Sequence, residues 1–262
     1  MIMSYFNIMD HHTFNWFLLC MSAIALMVFI ALYFIKAGYG MFRTKGWGLS
    51  INNKVAWMLM EAPVFIVMLL MWWYSDRRFY PVELVFFLLF QLHYLQRAFI
   101  FPFLLKGNSR MPVAIMLMGV TFNVLNGFMQ GEWIFYLSSV TYYNETWFAT
   151  PQFIIGTLMF FTGMAINLRS DYIIRHLRKP GDTKHYLPDK GMYRYVTSAN
   201  YFGEIVEWAG FALLTFSLAG LVFAWWTFAN LVPRANAIWH KYREEFGVEA
   251  VGKKKRVFPY IY

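Results

Sequence analysis

Asn200, Glu204 and Glu207 lie four and three residues apart in an apolar stretch that follows the basic, tyrosine-rich segment Gly191-Met192-Tyr193-Arg194-Tyr195. On a helix these separations place side chains on one face. Carboxylates inside a membrane span are costly and by default mark a functional site. The stripe therefore reads as the inner wall of a polar cavity. Glu204 is the preferred ligand contact, and Glu207, beside the interfacial Trp208, is the structural member. An ion pair with Arg234 or a proton relay would use the same residues. A second stripe, Asn167, Asp171, Arg175 and Arg178, is spaced four, four and three, a helical band about 80° wide. It suits a polar, phosphorylated ligand. Arg178 would make forked bonds to a pyrophosphate, while Asn167 and Asp171, deeper in, would bond a sugar or a carboxamide. The alternative is a solvated face at the membrane edge.

Two further residues could polarise a carbonyl. Glu61 is the only charge in 55–73 and stands two residues before Pro63, which frees a backbone carbonyl nearby. Kept neutral by apolar surroundings, a carboxylic acid can donate a hydrogen bond to a ketone oxygen. It could instead partner Arg97 or His93. Tyr94, in Gln91-Leu92-His93-Tyr94-Leu95-Gln96-Arg97, lies one helical turn from both Gln91 and Arg97. Its hydroxyl could do the same work, or its ring could simply pack.

The elements that position these residues are membrane helices. The 262 residues are 59% hydrophobic, 21% aromatic and only 14% charged, against about 25% charged for a soluble domain. Seven spans are expected at 14–36, 55–74, 82–104, 111–130, 150–172, 198–215 and 217–238, an all-α polytopic fold. Lys and Arg then divide 21 to 2 between the two sides. This puts the N-terminus outside and the C-terminus in the cytoplasm. The net charge of +9 is thus topological, or it meets an anionic ligand on the cytoplasmic side; nucleic acid is not expected. The first apolar run is too long for a signal peptide and lacks a basic segment before it. One cysteine, Cys20, excludes an internal disulfide, and the six histidines form no ligand cluster, so no metal is expected. With no GxGxxG, P-loop or nucleophile elbow, a nucleotide would be held without a Rossmann fold.

The chain reads as one domain over 1–262, with helices one to four (1–130) on the substrate side and a signature-rich half (150–262). The loop 131–149 is acidic and aromatic, with room for a short interfacial helix. The fifth helix is expected to continue to Lys179 and stop at Pro180-Gly181. A short turn near Ser217-Leu218-Ala219-Gly220 makes the last two spans a hairpin. The run Lys253-Lys254-Lys255-Arg256 suits anionic lipid headgroups.

Taken together these residues resemble the steroid 5-alpha-reductase family. The pattern is densest in Asn167-x-x-Ser170-Asp171-Tyr172-Ile173-x-Arg175-x-Leu177-Arg178-Lys179-Pro180-Gly181 and Tyr195-Val196-x-x-Ala199-Asn200-x-x-Gly203-Glu204-x-x-Glu207-Trp208. Gly38-Tyr39-Gly40, Glu61-x-Pro63, His93-Tyr94-x-x-Arg97, Arg234-Ala235, Tyr242 and Phe258-Pro259-Tyr260 extend it over nearly the whole chain. The resemblance implies a seven-helix enzyme, monomeric and bacterial, that takes NADPH from the cytoplasmic side and a lipophilic enone from the bilayer. The membrane would be a bacterial inner membrane, or the endoplasmic reticulum in a eukaryote. The implied reaction is hydride transfer to C5 of a 3-oxo-Δ4 steroid. It assigns Glu61 and Tyr94 to the substrate ketone. Asn167, Asp171, Asn200, Glu204, Arg234 and Tyr242 go to the nicotinamide half or its phosphates. Tyr39, Arg97, Arg178 and Lys106 or Arg110 go to the adenine half. Where the animal enzymes have glutamine before the glutamate, this chain has Met60. The rival readings are a reductase of an enoyl-CoA or polyprenol, a membrane methyltransferase of the isoprenylcysteine or phospholipid type, and a transporter. Gly191-x-Tyr193-Arg194-Tyr195-Val196 and Glu244-Glu245-Phe246-Gly247 are shared in outline with the methyltransferases. Those enzymes read Arg-His-Pro where this chain has Thr197-Ser198-Ala199.

Overall fold

A computed structural model of the chain describes residues 9–36, 38, 40–42, 45–179, 182 and 184–262, with Lys45 described in its backbone only. Tyr39, expected at the adenine half of the cofactor, and Pro180-Gly181, the expected helix stop, lie outside the described residues.

Among the described residues, five helical segments are long and apolar enough to cross a membrane: α1 (His11–Phe34), α2 (Asn53–Tyr74), Pro81–Leu104, Val113–Leu137 and Pro151–Arg175. They match the first five expected spans. The third is composite: α3 (Pro81–Tyr94), a π-helical turn (Leu95–Ile100) and α4 (Phe101–Leu104). The fourth is α5 (Val113–Glu132), prolonged by a second π turn (Trp133–Leu137) into the segment expected to be loop. The short helix expected near 131–149 is the 3-10 turn Glu145–Ala149. Pro151–Arg175 is α6. The last two expected spans are α7 (Ala199–Thr215), 17 residues, and α8 (Leu218–Phe246), 29 residues. α8 runs past its expected end, until Gly247 (φ 88) breaks it before α9 (Val248–Val251). Between α7 and α8, Phe216 takes a left-handed φ of 45, which supplies the tight turn. Large apolar side chains such as Met27, Ile30, Ile66 and Leu70 point outward, as lipid-facing helices require.

The backbone forms two compact units. The first is Met1–Cys20, Ala37–Ile154 and Ser217–Ala219; the second is Met21–Lys36, Ile155–Phe216 and Gly220–Tyr262.

In the first unit, β1 (Ser50–Asn52) pairs antiparallel with β2 (Arg110–Pro112) and ties together the starting ends of α2 and α5. The two helices then run side by side because α5 presents glycines. A Cβ on Gly119 would meet the Met60 sulfur at 2.5 Å, on Gly127 the Val64 carbonyl at 3.1 Å, and on Gly131 the Met71 sulfur at 2.6 Å. Small residues let helix backbones approach where there is no hydrophobic force between them.

In the second unit α6 and α7 pack antiparallel with their backbones in contact. Gly156 and Gly163 on α6 meet Gly210 and Gly203 on α7. A Cβ on Gly163 would come within 2.5 Å of the Gly203 carbonyl, and one on Gly210 within 2.7 Å of the Gly156 carbonyl. Trp208 of α7 packs on Phe223 of α8, ring centroids 4.4 Å apart. Trp226 of α8 donates to the Met21 carbonyl of α1 (2.9 Å).

The chain end folds back on the segment before α7. Thr197 N–H donates to the Lys255 carbonyl (2.9 Å) and Lys255 N–H to the Tyr195 carbonyl (2.8 Å). Val257 is fully buried among Ile205, Leu231, Val232 and Ala235. This changes the role of the basic run. Arg256 lies 4.4 Å from the Trp239 ring centre and 4.6 Å from that of Tyr262, and donates to Asn236 (2.6 Å). Lys254 donates to the Pro188 carbonyl (2.7 Å), and burial pulls its ammonium below the usual lysine range. Two of the four cations thus serve the fold. Arg256→Ala is expected to lower the melting midpoint of the purified protein by roughly 4–8 °C, from a loss of about 2 kcal/mol. Lys253→Ala, at an exposed position, should leave it unchanged. Equal midpoints for both variants in a thermal melt would show that the stacked guanidinium contributes nothing.

Candidate functional site

In the first unit three helices build a polar cluster. Glu61, half-buried on α2, accepts a bond from Asn123 Nδ2 of α5 (3.2 Å), and the same amide donates to the Met60 carbonyl (2.7 Å). Tyr94, 3% exposed at the end of α3, accepts from Asn126 Nδ2 of α5 (3.2 Å). Asn126 Oδ1 in turn faces Gln130 Nε2 (3.5 Å), which also donates to the Ala219 carbonyl (2.9 Å). The two residues assigned to the ketone are thus each held by an asparagine of the same helix, one turn apart. Asn123, Asn126 and Gln130 were missed in the sequence, although their spacing of three and four is the pattern that singled out Asn200 and Glu204.

The π turn begins directly after Tyr94. Its Phe101 N–H reaches back five residues to the Gln96 carbonyl, and Pro102 behind it has no N–H to continue an α-helical ladder. The wider turn rotates the residues after Tyr94 relative to α3. Arg97 is buried, with its guanidinium 4.4 Å from the Phe101 ring centre and 5.3 Å from that of Trp57. Gln91 donates to the Phe65 carbonyl (3.1 Å). Lys106 is exposed, and Arg110, also exposed, donates through Nε to the Ser50 carbonyl (3.1 Å) along the strand pair.

The second unit holds the other cluster, at the close contact of α6 and α7. Asn167 Nδ2 donates to the backbone carbonyl of Asn200 (3.0 Å) and to Glu204 Oε2 (3.4 Å). Asn200 Nδ2 donates to Asp171 Oδ1 (3.3 Å), and Asn200 Oδ1 accepts from the Tyr193 hydroxyl (3.3 Å). The two stripes read from the sequence therefore meet. Tyr193 is their added member. It is fully buried, and burial first, then Asp171 and Tyr242, raises its phenol well above the usual tyrosine range. It stays protonated and donating, which fixes the Asn200 amide with its nitrogen toward Asp171. Glu207 is fully buried on the same helix, at the level where its backbone abuts Gly163.

One expectation is corrected here. α6 ends at Arg175, not at Lys179. His176 N–H bonds to the carbonyls of both Tyr172 and Ile173 (3.2 and 3.1 Å), and Leu177 N–H reaches only to Ile174 (3.3 Å), so the last turn tightens. His176 Nδ1 also takes the Tyr172 carbonyl (2.7 Å). Arg178 thus leaves the helical stripe and becomes an exposed cation after it. Its field reaches Asp182 and Tyr242. Asp182 is held below the usual carboxylate range by the Lys184 N–H first, then by the Tyr186 hydroxyl. Tyr242, 7% exposed on α8, is pushed up to about 12 by burial, with Tyr201 and Glu245 adding and Arg178 opposing. Arg234, also on α8, donates to Asn230 (3.4 Å) and lies 5.4 Å from the Tyr201 ring centre.

Chemically, the first cluster offers a half-buried acid and a buried phenol, each bonded to an asparagine of α5. The second offers two carboxylates and two carboxamides, with a tyrosine behind them. That donor and acceptor set fits the carboxamide and ribose hydroxyls of a nicotinamide nucleotide. An exposed Arg178 beside Tyr242 adds a cation suited to phosphate.

Residues 109–262 match the family model of 3-oxo-5-alpha-steroid 4-dehydrogenase. Among known proteins, the steroid 5-alpha-reductase DET2 of Gossypium hirsutum is 36% identical over 97% of this chain and 99% of its own length. The 3-oxo-5-alpha-steroid 4-dehydrogenase 1 of Homo sapiens is 36% identical over 86% of each chain. That of Bos taurus is 34% identical over 86% of this chain and 88% of its own. The similarity runs through both clusters and nearly end to end, and the chain belongs to the steroid 5-alpha-reductase family.

Proposed function

We propose that this membrane oxidoreductase reduces the Δ4 double bond of a 3-oxo-Δ4 steroid to the 5α-3-oxosteroid, using NADPH. The observation that carries the reading is the pair Glu61 and Tyr94, each bonded by an asparagine of α5, in a chain whose relatives are named for this reaction. Reduction of an enone at its β-carbon moves negative charge onto the ketone oxygen. Donors already aimed at that oxygen stabilise the transition state by about 3–4 kcal/mol each. Tyr94 and a protonated Glu61 are such donors. The resulting enolate then takes a proton at C4.

A bound nicotinamide supplies the hydride to C5. Asn167, Asp171, Asn200 and Glu204 are the residues that would hold and orient it, with Arg234, Tyr242 and Arg178 on the ribose and phosphates. The part of Arg97, Lys106 and Arg110 at the adenine half rests on the family resemblance. α7 and α8 complete seven spans in this reading. The charge asymmetry of the loops then sets the N-terminus outside and the cofactor residues on the cytoplasmic side, and the protein works as a monomer.

The test is NADPH oxidation by the detergent-purified protein, with and without progesterone, and mass spectrometry of the product. A two-hydrogen gain with 5α stereochemistry is expected. NADPH binding without steroid turnover would overturn the substrate, and no NADPH binding would overturn the cofactor. Glu204→Ala and Arg178→Ala should each weaken NADPH binding about tenfold or more, as loss of a charge-assisted bond does. Unchanged affinity in both would remove the second cluster from the cofactor site.

A further inference from the structure

We infer that the strap 254–262, gripped by Thr197, sets the first turn of α7 and with it the amide of Asn200. Thr197 is a positioning residue of the cofactor cluster. What Asn200 does rests on the NADPH reading proposed above, while the structural half stands on bonds within the second unit.

Tyr193 and Asn200, seven residues apart, are joined by a hydrogen bond (3.3 Å). Asn200 also donates to Asp171 (3.3 Å), and its backbone carbonyl accepts from Asn167 (3.0 Å). Its position therefore decides how the two stripes meet. A helix ordinarily fixes its own first turn with a side-chain cap. α7 has none. Ser198 stands at the cap position but makes no capping bond, and its hydroxyl is buried without a hydrogen-bond partner.

The strap supplies the missing hold. Lys255 N–H donates to the Tyr195 carbonyl (2.8 Å), Thr197 N–H to that of Lys255 (2.9 Å) and Ser198 N–H to that of Arg256 (3.1 Å). The Thr197 hydroxyl adds a bond to the Arg256 carbonyl (3.2 Å), shared with that of Lys255 (3.4 Å). Val196 and Lys255 pair in parallel. Every one of these contacts falls between Tyr193 and Asn200. The strap is in turn fixed on three helices. Trp239 of α8 donates to the Lys254 carbonyl (2.9 Å). Val257 is buried among Ile205, Leu231, Val232 and Ala235. The Phe258 ring centre lies 6.3 Å from that of Phe202 on α7 and 6.0 Å from that of Phe228 on α8. The Tyr262 hydroxyl pairs with that of Tyr33 on α1 (3.1 Å). The segment 195–198 is thus aligned by distant helices. Thr197 is itself buried, so water does not replace its hydroxyl bond when that bond is removed.

The experiment uses the full-length protein in detergent. Thr197→Val keeps the side-chain shape and removes only the hydroxyl; Thr197→Ser keeps the hydroxyl. In a direct titration the NADPH Kd should rise about three- to tenfold in Thr197→Val and stay near wild type in Thr197→Ser. Coupling between two parts of a protein is reciprocal, so NADPH should slow amide hydrogen exchange over 254–262 in the wild type. A purely structural role would lower the melting midpoint of Thr197→Val and leave the Kd of the folded protein unchanged. That result, an equal loss of affinity in Thr197→Ser, or strap exchange indifferent to NADPH overturns the inference. Should Thr197→Val fail to fold, Val257→Ala loosens the strap at its buried end and must give the same rise in Kd. No NADPH binding by the wild type would remove the cofactor reading, and exchange would then decide the positioning. Thr197→Val must speed exchange over 199–204, and unchanged exchange there overturns it.

Discussion

Tyr94→Phe is expected to lower kcat for a 3-oxo-Δ4 steroid by about 10²–10³-fold, the usual effect of removing one donor from a developing oxyanion. The phenyl ring fills the same volume, so packing against Phe90 and His93 is preserved and only the hydroxyl is lost. Glu61→Gln should produce a loss of similar size. The amide oxygen can still accept from Asn123, but an amide N–H is a far weaker acid than a carboxylic acid and stabilises an oxyanion less. Both effects belong in kcat more than in KM, because the bond to the ketone strengthens as charge develops. NADPH affinity should stay near the wild-type level in both variants, since Asn167, Asp171, Asn200 and Glu204 are carried by α6 and α7. Steady-state kinetics and a direct NADPH titration test this together. Retained turnover in either variant, or a parallel loss of NADPH affinity in both, would show that the ketone site is misassigned.

Gly163→Ala is expected to destabilise the protein by about 3 kcal/mol and lower its melting midpoint by roughly 6–12 °C. A methyl at this position would run into the backbone of α7, with the Gly203 carbonyl at 2.5 Å and Glu207 N closer still. Backbone atoms cannot rotate aside as side-chain tips do, so the two helices must separate. The contacts that suffer next are Asn167 to Asn200 and to Glu204 (3.0 and 3.4 Å), which depend on that approach. NADPH affinity should therefore fall with stability. Gly46→Ala is the control, because Gly46 is exposed and a Cβ there meets nothing within 4 Å. A Gly163→Ala midpoint indistinguishable from that of the control would mean that the α6–α7 backbone contact is looser than described.

Much of this was legible in the order of residues. Asn167 and Asp171 on one helix, and Asn200 and Glu204 on another, were visible because helical neighbours are three and four residues apart and spacing alone reveals them. Arg178 was misjudged for a related reason. The same periodicity was extended past Arg175, where competition for the last carbonyls by the backbone and ring of His176 ends the helix. Arg97 was read one turn from Tyr94; what the spacing did not show is that it lies inside a π turn and against Trp57 and Phe101. A local hydrogen-bond shift of one residue leaves no trace in the hydrophobic pattern.

By itself the sequence determined that this is a helical membrane protein, where its apolar helices begin, which family it belongs to and which polar residues share a helix face. All of these depend on composition, motif or local spacing. Only the tertiary structure decided which faces meet. Asn123 and Asn126 find Glu61 and Tyr94 across 62 and 32 residues of chain, and Arg256 returns to close on Trp239 and Tyr262. The first of these pairings follows from how closely the glycine-lined α5 can approach α2. That depends on two surfaces at once, and no single stretch of sequence contains both.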